Sequence, residues 1–221
     1  MGSRIELTAS DGHKFSAWKA APKGKPKAGI VVIQEVFGVN AHIRDVAERF
    51  AKEGYLTIAP AVFDRAERGV DLGYGDDDIK KGRGLRDKIG WDGPLKDIAA
   101  AVEEASKAGK VGVVGFCWGG SLAWVAACRL DIAAAVPYYG AQIIDFNAEK
   151  PRCPTLLHFG AEDTLIPPAT VDKIRNAHPD IETHVWPGPH GFHCDHRAAY
   201  REESAKKAMQ RTLVFLAAHL I

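Results

Sequence analysis

Ten residues, Val111 to Gly120, read V-G-V-V-G-F-C-W-G-G and constrain this 221-residue chain more than any other stretch. A short apolar run leads directly into G-x-C-x-G, and small and apolar residues suited to a helix follow from 118 to 130. A strand feeding a helix through so tight a turn makes the central residue, Cys117, project from a strained backbone at the strand's carboxyl end. Gly115 and Gly119 carry no Cβ, so neighbouring backbone can pass close by. The amino end of the following helix favours a thiolate over a thiol. Cys117 is therefore the candidate nucleophile. A free cysteine often just fills space in a core, and it is the strand before and the helix after that turn the reading toward a reactive thiol.

The rest of the pattern alternates strands with helices. Residues 4–9 and 14–19 form a hairpin around Asp11-Gly12. A continuous apolar strand runs over 28–34, an amphipathic helix capped by Asn40 extends to Glu53, and a strand spans Tyr55 to Pro60. The Gly- and Asp-rich stretch 64–78 has no clear period and reads as an exposed excursion over the active edge. Helical spacing returns from Leu95 to Ala108. Strands follow at 133–139, 155–159 and 182–186, with helices at 168–177 and from about Tyr200 to His219. This order predicts one domain over 1–221, built on a mostly parallel central sheet flanked by helices, with an antiparallel N-terminal hairpin. Reactive groups in such sheets gather beyond the carboxyl ends of the strands.

That rule points to partners for Cys117. Asp163 lies in the loop after the strand at 155–159, and His190 in the loop after the strand at 182–186. A base must deprotonate the nucleophile, and a carboxylate must hold that base in the right tautomer. Taken singly, Asp163 reads as a helix cap and His190 as a loop histidine. Both at the right strand ends, behind a G-x-C-x-G, make a triad. Glu35 ends the strand I-V-V-I-Q-E and opens the loop that supplies half of an oxyanion hole in this arrangement. The hole is assigned to the backbone N–H groups of Val36 and Trp118. Glu35 beside it is placed to take or hold the thiol proton, with a structural salt bridge as the alternative reading.

The segments Q-E-V-F-G-V-N (34–40), G-F-C-W-G-G (115–120), G-A-E-D-T-L-I-P (160–167) and P-G-P-H-G-F (187–192) together resemble the dienelactone hydrolases. These are cysteine-using enzymes of the three-layer α/β hydrolase fold, also called carboxymethylenebutenolidases. The resemblance spans nearly the whole chain. It implies Cys117 as nucleophile, His190 as base, Asp163 as its partner, and Glu35 as the group that controls the thiol. It also implies ring opening of dienelactone to maleylacetate through a thioester, without a cofactor. The family's arginine four residues after the catalytic histidine is Cys194 here. Its earlier arginine falls in K-K-G-R-G-L-R, where Lys81 aligns best and Arg83 lies close. Arg197 is the candidate replacement for the missing contact. Phe37 and Phe192, beside the oxyanion loop and the histidine, complete the expected substrate contacts.

Composition bounds the partners. Hydrophobic residues make up 46% and charged residues 26% of the chain, and its net charge of +1 leaves no basic face for nucleic acid or membrane. Four cysteines are too few for a disulfide framework, no apolar run is long enough to span a membrane, and Glu6 spoils a myristoylation signal. The expectation is a cytoplasmic monomer acting on a small, anionic lactone or ester. His190, His193, Cys194 and His196 are all ligand types, yet no second cluster stands out in the sequence, so no metal is expected and these side chains are read as lining the pocket mouth. Two other functions compete: a broader carboxylesterase or thioesterase of the same fold, and a non-catalytic thiol sensor or binding module. A class I glutamine amidotransferase would pair the cysteine with His-x-Glu, whereas Glu182 and His184 run in the opposite order.

Overall fold

The structure is a computed structural model that describes residues 2–221. Eight strands form one sheet in the order β1-β2-β4-β3-β5-β6-β7-β8. They are β1 (Ser3–Thr8), β2 (Lys14–Ala20), β3 (Gly29–Ile33), β4 (Leu56–Pro60), β5 (Val111–Phe116), β6 (Ala134–Tyr138), β7 (Leu156–Gly160) and β8 (Glu182–Trp186). The hairpin β1–β2 and the β2–β4 pair are antiparallel, and all later pairs are parallel. The helices are α1 (Ala41–Lys52), α2 (Asp76–Ile89), α3 (Asp92–Ser106), α4 (Trp118–Arg129), α5 (Pro168–Ala177) and α6 (Glu202–Leu220). No helix among the described residues is long and apolar enough to cross a membrane.

Strands β3 to β7 are buried at every position. Side-chain alternation divides them between two cores. Ile30, Val32, Val114 and Val136 meet apolar residues of α1 and α6 on one face. Val31, Ile33, Val113 and Ala135 meet those of α3 and α4 on the other. The outer strand β1 instead alternates with solvent, as an edge covered on one side should.

Register aligns the carboxyl ends. Ile33 pairs with Gly115, Phe116 with Tyr138, and Gly160 with Trp186. Glu35, Cys117, Tyr139, Asp163 and His190 therefore all emerge from one edge of the sheet.

One helix was not expected. α2 begins inside the supposed excursion and continues through the basic stretch. Its only buried residues are Gly82 and Leu85, so the apolar period that marks a helix is nearly absent. Gly82 is there for contact: a Cβ would come within 1.8 Å of the Val36 carbonyl oxygen. Asp76, Asp77 and Asp78 in its first turn and Arg86 and Lys88 in its last complement the helix dipole.

Candidate active site

Cys117 sits between β5 and α4 with φ 56°, one of two non-glycine residues with positive φ among those described. The strained conformation persists because the surroundings fix it. Its N–H donates to the Tyr138 carbonyl at 3.0 Å, and its own carbonyl accepts from Gly120 and Ser121 at 2.9 and 3.2 Å. The glycines of the motif are close-approach positions. A Cβ on Gly115 would lie 1.9 Å from the Gly119 carbonyl oxygen, and one on Gly119 would lie 2.4 Å from that of Gln34.

His190 Nδ1 is 2.7 Å from Asp163 Oδ2. With the ring N–H donated to that carboxylate, Nε2 is left as the basic nitrogen. Asp163 is the cap it was suspected to be as well, since its Oδ1 accepts from the Leu165 and Ile166 amides at 2.8 and 3.2 Å. Those bonds hold the carboxylate in place for the histidine. His190 Nε2 has no hydrogen-bond partner among the described residues, and His190 shares its cavity with Cys117. Burial works against charging the ring, but the Cys117 sulfur and the Asp163 carboxylate outweigh it and raise the pKa from 6.5 to about 10.

The two amides expected to form the oxyanion hole are oriented by backbone. Gln34 Nε2 donates to the Glu35 carbonyl at 3.2 Å. Across a trans peptide the Val36 N–H then points the opposite way. The Trp118 amide is the first of α4, where no intrahelical acceptor exists. Neither amide is donated to another protein group among the described residues.

Glu35 is fully buried, and its one side-chain hydrogen bond among the described residues goes to Arg197 rather than to Cys117, with Oε1 and Nη1 3.3 Å apart. Arg197 lies over the rings of Phe37 and Tyr74, 5.5 and 5.3 Å from their centroids. Gly191, at φ 80°, clears its path, because a Cβ there would come within 2.7 Å of Arg197 Nη1.

These groups surround a cavity of about 400 Å³ whose wall includes Val36, Phe37, Cys117, Trp118, His190 and Arg197. α2 adds Ile79, Arg83 and Arg86 to that wall. Positions 79, 83 and 86 recur at helical spacing and share one face. Lys81 lies off that face and pairs with Glu67 at 2.6 Å on the surface, which corrects the expectation that it contacts substrate. Arg86 was missed because the helix was missed; the spacing of Ile79, Arg83 and Arg86 behind three aspartates was the available signal. Phe192 is a second correction. It is fully buried and packs on Tyr139, ring centroids 5.5 Å apart, so it supports the histidine loop without facing the cavity. His193 and Cys194 are likewise buried and do not line the mouth. Cys194 Sγ contacts the Tyr74 hydroxyl at 3.3 Å.

Known proteins resemble this chain along nearly its whole length. The model of the dienelactone hydrolase family matches residues 15–220. A Synechocystis sp. protein provisionally named a carboxymethylenebutenolidase is 39% identical over 202 residues, covering 82% of each chain. The carboxymethylenebutenolidase of Pseudomonas putida is 30% identical over 224 residues, covering 96% of this chain and 95% of its own. A crystal structure from Klebsiella pneumoniae, provisionally named a dienelactone hydrolase, superposes with a TM-score of 0.85 at 33% identity, over 97% of this chain and 99% of that one.

Proposed function

The chain belongs to the dienelactone hydrolase family of α/β hydrolases acting on ester bonds, and from that premise we propose that it opens dienelactone to maleylacetate with Cys117 as nucleophile. The observation that carries this reading is the shared cavity of Cys117 and His190, with His190 Nδ1 held 2.7 Å from Asp163. The Cys117 thiolate attacks the lactone carbonyl carbon, and the resulting oxyanion is stabilised by the Val36 and Trp118 amides. Collapse breaks the ring C–O bond and expels an enolate, leaving a thioester on Cys117. The His190 imidazolium gives its Nε2 proton to the enolate, and the neutral ring then takes one from water; the hydroxide so formed hydrolyses the thioester, and the sulfur departs as thiolate. An enolate is a far better leaving group than an alkoxide, so unactivated alkyl esters should react slowly.

Arg83, Arg86 and Arg197 favour an anionic substrate, since three arginines against one carboxylate, Asp145, line the cavity. A substrate carboxylate reaching Arg197 competes with Glu35 for it. The freed Glu35 is then the group that can take the thiol proton, as the family resemblance implies. The test is steady-state hydrolysis of cis- and trans-dienelactone beside p-nitrophenyl acetate, in wild type and His190→Ala. Lactone turnover far above ester turnover, lost in the variant, supports the assignment. Ester turnover alone keeps the triad and favours the broader carboxylesterase or thioesterase reading. Turnover of neither favours a thiol sensor.

A further inference from the structure

We propose that Glu35, His42 and Cys194 form a binding site for one divalent transition-metal ion of the zinc type, behind Arg197. The three come from distant parts of the chain: the loop after β3, the first turn of α1, and the loop after β8. One carboxylate oxygen, one imidazole nitrogen and the thiol sulfur all lie within 4.8 Å of one another. All three residues are buried. The sequence showed no second cluster to accompany Cys194, and it is folding that brings one to it.

Two buried atoms of these residues have no hydrogen-bond partner among the described residues. Glu35 Oε2 and His42 Nε2 are buried without a hydrogen bond. A buried polar atom left in that state is costly and calls for an explanation. A cation at their common focus satisfies both. The donor set of thiolate, imidazole and carboxylate suits zinc and its neighbours and not magnesium or calcium, which take oxygen.

The surroundings of His42 support the assignment independently. Its Nδ1 lies 3.1 Å from Asp195 Oδ1, and Arg49 holds the other oxygen of Asp195. A carboxylate on one ring nitrogen fixes the tautomer and leaves the other nitrogen free, which is the arrangement found behind metal-bound histidines. Glu35 Oε1 is steadied in the same way by Arg197. Three protein ligands leave a fourth position for water or the Tyr74 hydroxyl, which already touches Cys194. Coordination displaces the Cys194 thiol proton, and any proton on His42 Nε2, into solvent. Cobalt binding is read out apart from hydrolysis, because none of the three ligands is Cys117 or His190; Glu35 is shared with the hydrolytic reading, and a metal held on it withdraws it from the thiol proton that reading assigns to it.

The test is titration of the chelator-stripped full-length protein with cobalt(II), followed by absorption spectroscopy. The expected result is one cobalt per chain, with visible bands of a tetrahedral ion and a thiolate-to-cobalt charge-transfer band. Both persist in Cys117→Ala and vanish in Cys194→Ala. Asp195→Asn, at a partly exposed position, should bind cobalt about 10- to 100-fold more weakly. If Cys194→Ala does not fold, this variant decides, and an unchanged affinity overturns the site. The absence of bound cobalt overturns it as well. So does loss of the bands in Cys117→Ala, which places the metal on the nucleophile. Binding without a charge-transfer band also overturns it, by placing the ion on the more exposed group His42, Asp195 and His196.

Discussion

Arg197 and Glu35 form an ion pair, 3.3 Å between Nη1 and Oε1, in which the carboxylate has no exposure to solvent. Such a pair adds little over an apolar packing, but removing one partner strands the other charge in a dry site. Arg197→Gln should therefore lower stability by about 3–5 kcal/mol in urea unfolding. Adding Glu35→Gln to it should recover most of that loss. A double variant no more stable than the single one would show that the two side chains are not energetically coupled.

Gln34 acts through backbone. Its amide is the group that fixes the Glu35 carbonyl and thereby aims the Val36 N–H. Gln34→Ala frees that peptide to rotate, and kcat should fall about 10²- to 10³-fold with KM little altered, as when one oxyanion donor is lost. An unchanged kcat would remove Val36 from the oxyanion position.

The cations of α2 divide by face. Arg83→Ala and Arg86→Ala should each raise KM for an anionic lactone about tenfold, the scale of one charge-assisted hydrogen bond, and leave a neutral ester unaffected. Lys81→Ala should change neither, because Lys81 is engaged with Glu67 away from the cavity. Equal effects on charged and neutral substrates would mean that the arginines serve the fold.

Acid sensitivity is expected from a histidine far from the chemistry. His158 is fully buried, its Nδ1 accepts from the Trp186 indole at 2.9 Å, and its Nε2 lies 3.1 Å from the Thr212 hydroxyl. Burial holds its pKa well below 6.5, with the nearby His184 adding to the effect. The unfolded chain takes a proton there near pH 6.5 and the folded chain does not, so this contribution is intact above pH 6.5 and lost as pH falls. The slope is about 1.4 kcal/mol per pH unit for one proton. His158→Gln should start less stable at neutral pH and lose that slope, narrowing its gap to wild type between pH 6.5 and 5. A constant gap would mean that His158 titrates alike in both states.

What could be read in advance followed from periodicity and strand ends. The hairpin, α1 with its Asn40 cap, α5 and β8 were legible because their apolar spacing or capping chemistry is local. The gathering of Cys117, Asp163 and His190 at one sheet edge was legible because each stands just past a strand in a parallel sheet, where topology alone brings loops together. α2 was not, since a helix lying over a cavity with two buried positions carries almost no amphipathic signal. Without it, Lys81 could not be told from Arg83, nor could Arg86 be found. Phe192 was misread for a related reason: adjacency to His190 says nothing about which side of a loop faces the core. Gln34 and His42 gave no signal at all, because their roles depend on one peptide orientation and on a contact with Asp195.

The most direct measurement is kcat/KM for dienelactone in wild type and Cys117→Ala, with folding of both verified by circular dichroism. The expected result is a loss of about 10⁴-fold or more, since the oxyanion amides and substrate binding alone leave only residual catalysis. Retention of activity within tenfold would contradict nucleophilic catalysis by Cys117.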